Sequence, residues 1–183
     1  MRTSLPLFSV VLFLAACSNT PTDAAEADLA QLQALLAEQA TTEGRLTTFD
    51  ELDFEVFTNQ DWDRIHESHS DDIVVHWPDG HSTTGVDVHV ADLAAMFVWA
   101  PDTRTEEYPV GFGAGSYTAV TGVLQGTFTE PMPIGDGQFI EPTGLAYRID
   151  MATIGRWNDA GVMEEEWLFW DNLTFYQQIG LAE

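Results

Sequence analysis

The chain has 183 residues, of which 30 are Asp or Glu and 6 are basic, all of them arginine, so its formal net charge is −24. A surface field of this sign repels phosphate backbones and anionic headgroups, which excludes nucleic-acid binding and electrostatic membrane docking as expected functions. Its single cysteine allows no internal disulfide, so the domain must be held together by its hydrophobic core.

The N-terminus has the layout of an export signal. Arg2 supplies a positive charge, and residues 5–16 form an almost unbroken apolar run that leads directly into Cys17. This run is shorter than the roughly 20 apolar residues that span a bilayer. Leu14-Ala15-Ala16-Cys17 resembles the bacterial lipobox, whose cysteine becomes lipidated. We therefore expect residues 1–16 to be a signal peptide and Cys17 to carry a lipid anchor; a signal peptide without lipidation is the alternative.

The segment after the cysteine is expected to be a tether. Ser18 rather than Asp follows Cys17, which in Gram-negative lipoproteins favours the outer membrane, with the domain facing the periplasm. Leucines at helical spacing predict a helix over residues 24–40, which is either a spacer or docks on the domain. The tether is therefore assigned to residues 17–44 and the globular domain to residues 45–183.

The domain begins with helical patterns and ends with strands. Helices are predicted over residues 47–59, 62–69 and 85–99, with one strand over residues 73–77. Four segments rich in β-branched and aromatic residues follow, at residues 105–112, 116–129, 145–157 and 162–170, and a short helix covers residues 171–179. This order predicts an α+β fold in which N-terminal helices pack on a curved mixed or antiparallel sheet.

Three motifs stand out within the domain. They are Val74-Val75-His76-Trp77-Pro78 followed by Gly85, then Pro142-Thr143-Gly144, and Glu165-Glu166-Trp167-Leu168-Phe169-Trp170-Asp171 leading into Gln177-Gln178-Ile179-Gly180-Leu181. With the order of elements, they resemble the SnoaL-like branch of the nuclear transport factor 2-like superfamily, from about Leu46 to the C-terminus. The resemblance implies a cone-shaped fold, a homodimer formed through the open sheet face, and polyketide cyclase chemistry, although many members have no assigned reaction.

One face of the last strand is the predicted pocket lining. Alternation places Met163, Glu165, Trp167, Phe169 and Asp171 on that face, and Glu164, Glu166, Leu168 and Trp170 on the other. A carboxyl among aromatic rings loses hydration, so its pKa rises and it can exchange protons near neutral pH. The family resemblance implies that Asp171 is the general acid or base. The alternative is that Asp171 caps the last helix.

Other polar residues are assigned by their place along the strands. The fold that the resemblance implies puts His76 and Trp77 at the cavity mouth, where they would orient a substrate. Asp150 shares a strand face with Arg148 and is either a polar group in the cavity or part of a solvent-side salt bridge.

The five histidines do not form a familiar metal-binding motif. His66 and His69 are three apart on a predicted helix, and His76, His81 and His89 surround one turn, but no His-Glu-x-x-His pattern or zinc frame is present. Dinucleotide, P-loop and serine-hydrolase motifs are also absent from the sequence. The sequence therefore predicts no metal and no cofactor.

Two functions from different classes remain. The first is a cyclase or isomerase that acts on an apolar carbonyl compound, with Asp171 moving a proton and His76 or Trp77 orienting the substrate. The second is a lipoprotein that binds a hydrophobic small molecule without catalysis, or whose cavity is filled by its own aromatic rings. An inward-facing Asp171 would favour the first function, and a collapsed aromatic interior the second.

Overall fold

The structure, a computed structural model, describes residues 23–107 and 109–183. The expected signal peptide and the expected lipidation of Cys17 lie outside the described residues. Within the described part of the chain, no helix is both long enough and apolar enough to cross a membrane. The described chain divides into two units, and the second of them is Leu36–Glu183. Every element discussed below as part of the site belongs to the second unit.

The first helix is longer than the sequence pattern predicts. α1 spans Asp23–Glu51 without a break and continues directly into a π-helical turn at Leu52–Phe57. The sequence predicts two separate helices here, over residues 24–40 and 47–59. They are joined because nothing between them stops a helix: no proline interrupts residues 41–46, and Gly44 lies in the helix interior with open space where a side chain would project.

Replacing Gly44 with alanine tests this continuity. Glycine in a helix interior is destabilising by roughly 0.5–1 kcal/mol relative to alanine, and a methyl group at Gly44 would meet nothing within 4 Å. We therefore expect Gly44→Ala to raise the free energy of unfolding by about that amount, measured by urea denaturation. A matched control is Gly126→Ala, whose Cβ would lie 2.6 Å from the Tyr147 hydroxyl and should destabilise. A neutral or negative effect of Gly44→Ala would argue against a helix through this position.

The remaining elements follow the predicted order, with three added strands and one predicted strand divided in two. A 3-10 helix covers Trp62–Glu67, followed by β1 His69–His76, β2 Ser82–Thr84, α2 Val86–Trp99, β3 Arg104–Thr105, β4 Val110–Ala114 and β5 Tyr117–Thr127. After them come β6 Met132–Gly135, β7 Gln138–Ile140, β8 Ala146–Trp157, β9 Met163–Trp170 and α3 Asn172–Gln178. The sequence pattern does not predict β2 or the β6–β7 hairpin, and the single strand predicted over residues 105–112 is two strands, β3 and β4, which each pair with β5. It also placed His69 on a helix, whereas the structure places it at the start of β1.

Among the described residues of the second unit, β6 and β7 pair only with each other, and the other strands form a mixed sheet. Its order is β2-β1-β9-β8-β5-β3, and β4 also pairs with β5. β1 and β9 are parallel, while the other pairs of this sheet are antiparallel. The predicted α+β class, with N-terminal helices packed on a mixed sheet, is confirmed.

Two apolar clusters hold the helices of the second unit on the sheet. In one, Phe49 of α1 packs edge-on against Trp157 of β8, with ring centroids 6.5 Å apart. In the other, Phe57 of the π-helical turn packs against Phe97 of α2 at 5.2 Å. Leu93, Met151 and Trp170 pack against both clusters. These three residues also line a cavity, so the cavity lies where the two clusters meet.

Candidate active site

A cavity of about 50 Å³ lies between the π-helical turn, α2 and the inner face of the sheet. Its apolar wall consists of Leu52, Phe57, Trp77, Leu93, Met96, Leu124, Met151, Leu168 and Trp170. Its polar side chains are Asp53, His69, His89, Thr105, Thr153 and Glu166. A volume of this size holds a few water molecules. The cavity therefore combines an apolar wall with a small set of ionisable groups, which is typical of a binding or catalytic site.

β9 presents to the cavity the face opposite to the predicted one. Glu166, Leu168 and Trp170 line the cavity, whereas Phe169 is 49% exposed. The period of two along a strand fixes which residues share a face but does not say which face is inward. Trp167 and Phe169 favour the outer face in the sequence pattern, but that face of β9 does not line the cavity.

Asp171 lies outside the cavity and caps α3. Its Oδ1 accepts hydrogen bonds from the backbone N–H groups of Leu173 (2.9 Å) and Thr174 (3.2 Å), and its Oδ2 accepts one from the Thr174 hydroxyl at 2.7 Å. The side chain is exposed. The hydrogen bonds from Thr174 and Leu173 lower the pKa of Asp171. The geometry is that of the helix cap, the alternative stated for this residue.

His76, Glu165 and Trp167 come together on the outer face of the sheet. His76 Nε2 lies 2.9 Å from Glu165 Oε1, and Arg156 donates to Glu165 Oε2 at 2.7 Å. The Trp167 ring stacks on the His76 ring at a centroid distance of 5.2 Å. Hydrogen bonds from His76 and Arg156 lower the pKa of Glu165. These predicted site residues therefore form a surface ion-pair cluster rather than part of the cavity.

The last two predicted residues have different positions. Trp77 lines the cavity, and its indole Nε1 donates to Thr83 Oγ1 at 3.1 Å. Asp150 is exposed and, with Phe169 and Asp171, borders a separate depression on the outer face. Of the predicted site residues that the structure describes, Trp77 alone belongs to the cavity wall.

A buried cluster of three ionisable side chains forms one wall of the cavity. His89 Nε2 lies 3.5 Å from Glu166 Oε2, and His69 Nε2 lies 3.8 Å from the same oxygen. The side chains of His69, His89 and Glu166 are 1%, 3% and 5% exposed. Among the described residues, His69 Nε2, His89 Nδ1 and Glu166 Oε2 have no hydrogen-bond partner. Buried polar atoms are normally satisfied, so this cluster is a departure that points to function.

The neighbouring serine favours one tautomer of His69. Ser68 Oγ lies 3.1 Å from the Ile65 carbonyl oxygen, to which its hydroxyl donates, and 2.8 Å from His69 Nδ1. With its one proton on the Ile65 carbonyl, Ser68 accepts from Nδ1–H of His69. When His69 is neutral, its Nε2 is therefore an unprotonated lone pair that faces Glu166.

Burial and charge set the protonation of His89 and Glu166. Burial lowers the pKa of His89 to about 4, although the nearby Glu166 opposes the shift. Burial alone would raise the pKa of Glu166, but the neighbouring His69 and His89 outweigh it, and the net pKa is lowered. At neutral pH His89 is therefore neutral and Glu166 is ionised.

Asp53 brings a second carboxyl to the same cavity. It lies in the π-helical turn, directly after the buried Leu52; the residue is half-buried and lines the cavity. Burial raises its pKa well above the ordinary value, and the negative charges of Glu166 and Asp50 raise it further. The cavity therefore holds two carboxyls whose pKa values are shifted in opposite directions.

The residues that sequence reasoning missed carried partial signals. Asp53 lies four residues after Phe49 and three before Val56, so it interrupts an apolar helical stripe. A carboxylate at such a position indicates either an error in the predicted face or a functional group. The sequence offered no comparable signal for His69, His89 and Glu166, because three different elements bring them together.

Comparison with known proteins agrees with this fold. The family model described as SnoaL-like polyketide cyclase matches residues 49–179, while no curated protein matches the chain. Wild-type IdmH from Streptomyces antibioticus, a candidate polyketide cyclase, is similar at 23% identity and a TM-score of 0.62, over 74% of this chain and 98% of that one.

Two further solved structures show the same similarity. A candidate SnoaL-like polyketide cyclase from Jannaschia sp. CCS1 has 18% identity and a TM-score of 0.66, over 78% of this chain and 95% of that one. A candidate polyketide cyclase from Acidithiobacillus ferrooxidans has 20% identity and a TM-score of 0.61, over 78% and 96%. At these identities the structures support the fold alone, whereas the family model covers most of the chain. The chain belongs to the SnoaL-like polyketide cyclase family.

Proposed function

We propose that the chain is a cyclase or isomerase that moves a proton on a small apolar carbonyl compound bound in the cavity. The observation that carries this proposal is the pair of carboxyls, Asp53 and Glu166, on the wall of one apolar cavity with opposite pKa shifts. Two titratable groups driven apart in this way are suited to act as acid and base at one pH.

Asp53 is the proposed acid. Its raised pKa keeps the carboxyl protonated at a pH where an ordinary aspartate is ionised. A protonated carboxyl can donate a hydrogen bond to a substrate carbonyl oxygen, where negative charge develops when an enolate forms. Most of the surrounding wall is apolar, which strengthens that hydrogen bond relative to one in water.

Glu166 is the proposed base. It stays ionised at neutral pH, and its Oε2 has no hydrogen-bond partner among the described residues. A carboxylate oxygen without a donor is free to accept a proton from a carbon next to the carbonyl group. His89 Nε2 and His69 Nε2 lie 3.5 and 3.8 Å from this oxygen and keep it on the wall of the cavity. Trp77 and Trp170 would hold the apolar part of the substrate.

The size of the cavity limits the substrate. Ligand pockets for drug-sized molecules usually enclose at least about 300 Å³, whereas this cavity has about 50 Å³. Met96 and Met151 are on its wall, and methionine side chains repack readily because they are unbranched. The proposed substrate is therefore a small ketone or aldehyde, or a larger one that displaces these two side chains.

Hydrogen–deuterium exchange tests the proposal. The purified chain, with EDTA present, is incubated in heavy water with a panel of small apolar ketones, and deuterium at the α-carbon is followed by NMR. We expect exchange above the rate in buffer for at least one ketone, because enolate formation needs only the acid and the base. If ketones bind, as seen by tryptophan fluorescence, but none exchanges, the chain is a binding protein and the enzymatic proposal fails.

We also propose that Cys17 anchors the protein in the cell envelope, in the outer membrane facing the periplasm, on the basis of the lipobox-like Leu14-Ala15-Ala16-Cys17. Expression in a Gram-negative bacterium should give a membrane-bound protein that lacks residues 1–16 and carries acyl chains on Cys17, as measured by mass spectrometry. Cys17→Ser should release the protein from the membrane fraction. An unmodified Cys17 in the mature protein would contradict this.

A further inference from the structure

We propose that His69, His89 and Glu166 form a binding site for a divalent transition-metal ion on the wall of the cavity. Two imidazoles and one carboxylate are a common ligand set for Zn²⁺ and for Fe²⁺, whereas Mg²⁺ and Ca²⁺ prefer oxygen ligands. The three ligand atoms lie within 4.8 Å of one another. The proposal goes beyond the proton-transfer function and does not depend on it.

The distances are close to those of a tetrahedral site. With metal–ligand bonds of about 2.0–2.1 Å, two ligand atoms around one ion are roughly 3.3–3.4 Å apart. Glu166 Oε2 lies 3.5 Å from His89 Nε2 and 3.8 Å from His69 Nε2. Shifts of a few tenths of an ångström would therefore bring each nitrogen to this spacing from Glu166 Oε2, and the two imidazoles, whose ligand atoms lie within 4.8 Å of each other, would close on the same ion.

The tautomer of His69 supplies the second argument. Its Nδ1–H donates to Ser68, which leaves the Nε2 lone pair facing the ionised Glu166. Two buried acceptor atoms that face one another repel unless a cation lies between them. Histidine ligands of metals commonly donate their other ring nitrogen to a fixed acceptor, which sets the ring orientation, and Ser68 has that role here.

The unsatisfied atoms of the cluster also suit a metal. Metal ligands are unprotonated imidazole nitrogens and carboxylate oxygens, and His69 Nε2 and Glu166 Oε2 are buried without a hydrogen-bond partner among the described residues, with His89 Nε2 3.5 Å from the same oxygen. Three protein ligands leave a tetrahedral ion with one further position. Because all three residues line the cavity, that position is open to a small ligand there. A bound ion would also engage the Glu166 carboxylate, so metal binding and the proposed role of Glu166 as a base exclude one another.

The test is Zn²⁺ binding to the full chain, purified without a histidine tag and stripped with EDTA. Isothermal titration should show one Zn²⁺ per chain. His69→Gln and Glu166→Gln should each weaken binding at least about 100-fold, because each removes a direct ligand. His66→Gln is the matched control: His66 is exposed, lies three residues from His69 and should bind Zn²⁺ as the wild type does.

A measurement on the wild type guards against variants that fail to fold. In ¹⁵N NMR spectra of the histidine side chains, Zn²⁺ should shift the ring-nitrogen signals of His69 and His89 and leave those of His66, His76 and His81 in place. Shifts confined to the three exposed or half-exposed histidines would overturn the proposal. So would the absence of Zn²⁺ binding, which would mean that a proton, shared by His69 and Glu166, satisfies the cluster. Neither result bears on the exchange assay, which is run in EDTA.

Discussion

Asp53→Asn should lower kcat/KM for α-proton exchange by about 10²–10⁴-fold, the usual contribution of a general acid or base. Asparagine has nearly the same shape as aspartate, but its amide group is a much weaker acid than the carboxyl group that it replaces. The measurement is the exchange rate, in EDTA, on a ketone that the wild type turns over.

The exchange rate of the wild type should also depend on pH in both directions. It should fall as the pH rises through the raised pKa of Asp53, because the acid is then ionised. It should also fall as the pH falls through the lowered pKa of Glu166, because the base is then protonated.

Asp171→Asn is the matched control for this variant. Asp171 is exposed and its carboxylate serves as the cap of α3, so the same chemical change should leave the exchange rate within about twofold of wild type, as expected for a residue that does not contact the substrate. Circular dichroism establishes that both variants are folded. If Asp171→Asn loses exchange and Asp53→Asn keeps it, the assignment implied by the family resemblance is right and the one based on the cavity is wrong.

Stability should fall as the pH falls from 6.5 to 5, because His89 is buried without charge. Burial lowers the pKa of His89 from 6.5 to about 4 in the folded protein. Between these values the unfolded chain binds a proton that the folded chain does not, so acid favours unfolding. By pH 5 the loss amounts to about 2 kcal/mol. The free energy of unfolding is measured by urea denaturation at a series of pH values.

His89→Gln should make the stability less dependent on pH in this range, since glutamine does not titrate. Asp53 has the opposite effect on the free energy of unfolding. Because its pKa is raised in the folded protein, the folded state is favoured at low pH and loses stability as the pH rises toward that pKa. Because Asp53 is present in both proteins, the difference between the two pH profiles isolates His89. Parallel profiles would show that His89 is not buried in its neutral form.

The sequence predicted the order of elements better than the site. The bounds of long segments with a clear hydrophobic period, such as α2 and β8, are predicted to within about one residue. The spacing of the buried residues in such a segment indicates whether it is a helix or a strand and which residues share the buried face. The β6–β7 hairpin escaped prediction because Pro133, Gly135 and Gly137 give its short strands the composition of a loop.

The choice of face on β9 shows why the site was harder to predict. Alternation grouped Glu166 with Leu168 and Trp170 correctly, but either face of the strand carried enough aromatic surface to serve as the inner one. The decision depends on which side the helices cover, and that is a long-range property of the sheet. His69 and His89 meet Glu166 for the same long-range reason, since they lie 97 and 77 positions before it in the chain.

The π-helical turn at Leu52–Phe57 makes the site sensitive to chain length. Within it, both the backbone N–H and the hydroxyl of Thr58 reach the carbonyl oxygen of Asp53, five residues earlier, where an α-helix would use a span of four. Deleting one residue from this turn would restore the ordinary helical span and rotate the preceding side chains by about 100° relative to those that follow. Asp53 would then leave the cavity while Phe57 stayed in it. A relative of this chain that is one residue shorter here would lack the acid, and Phe49 and Leu52, which would turn with Asp53, would also lose their present core contacts.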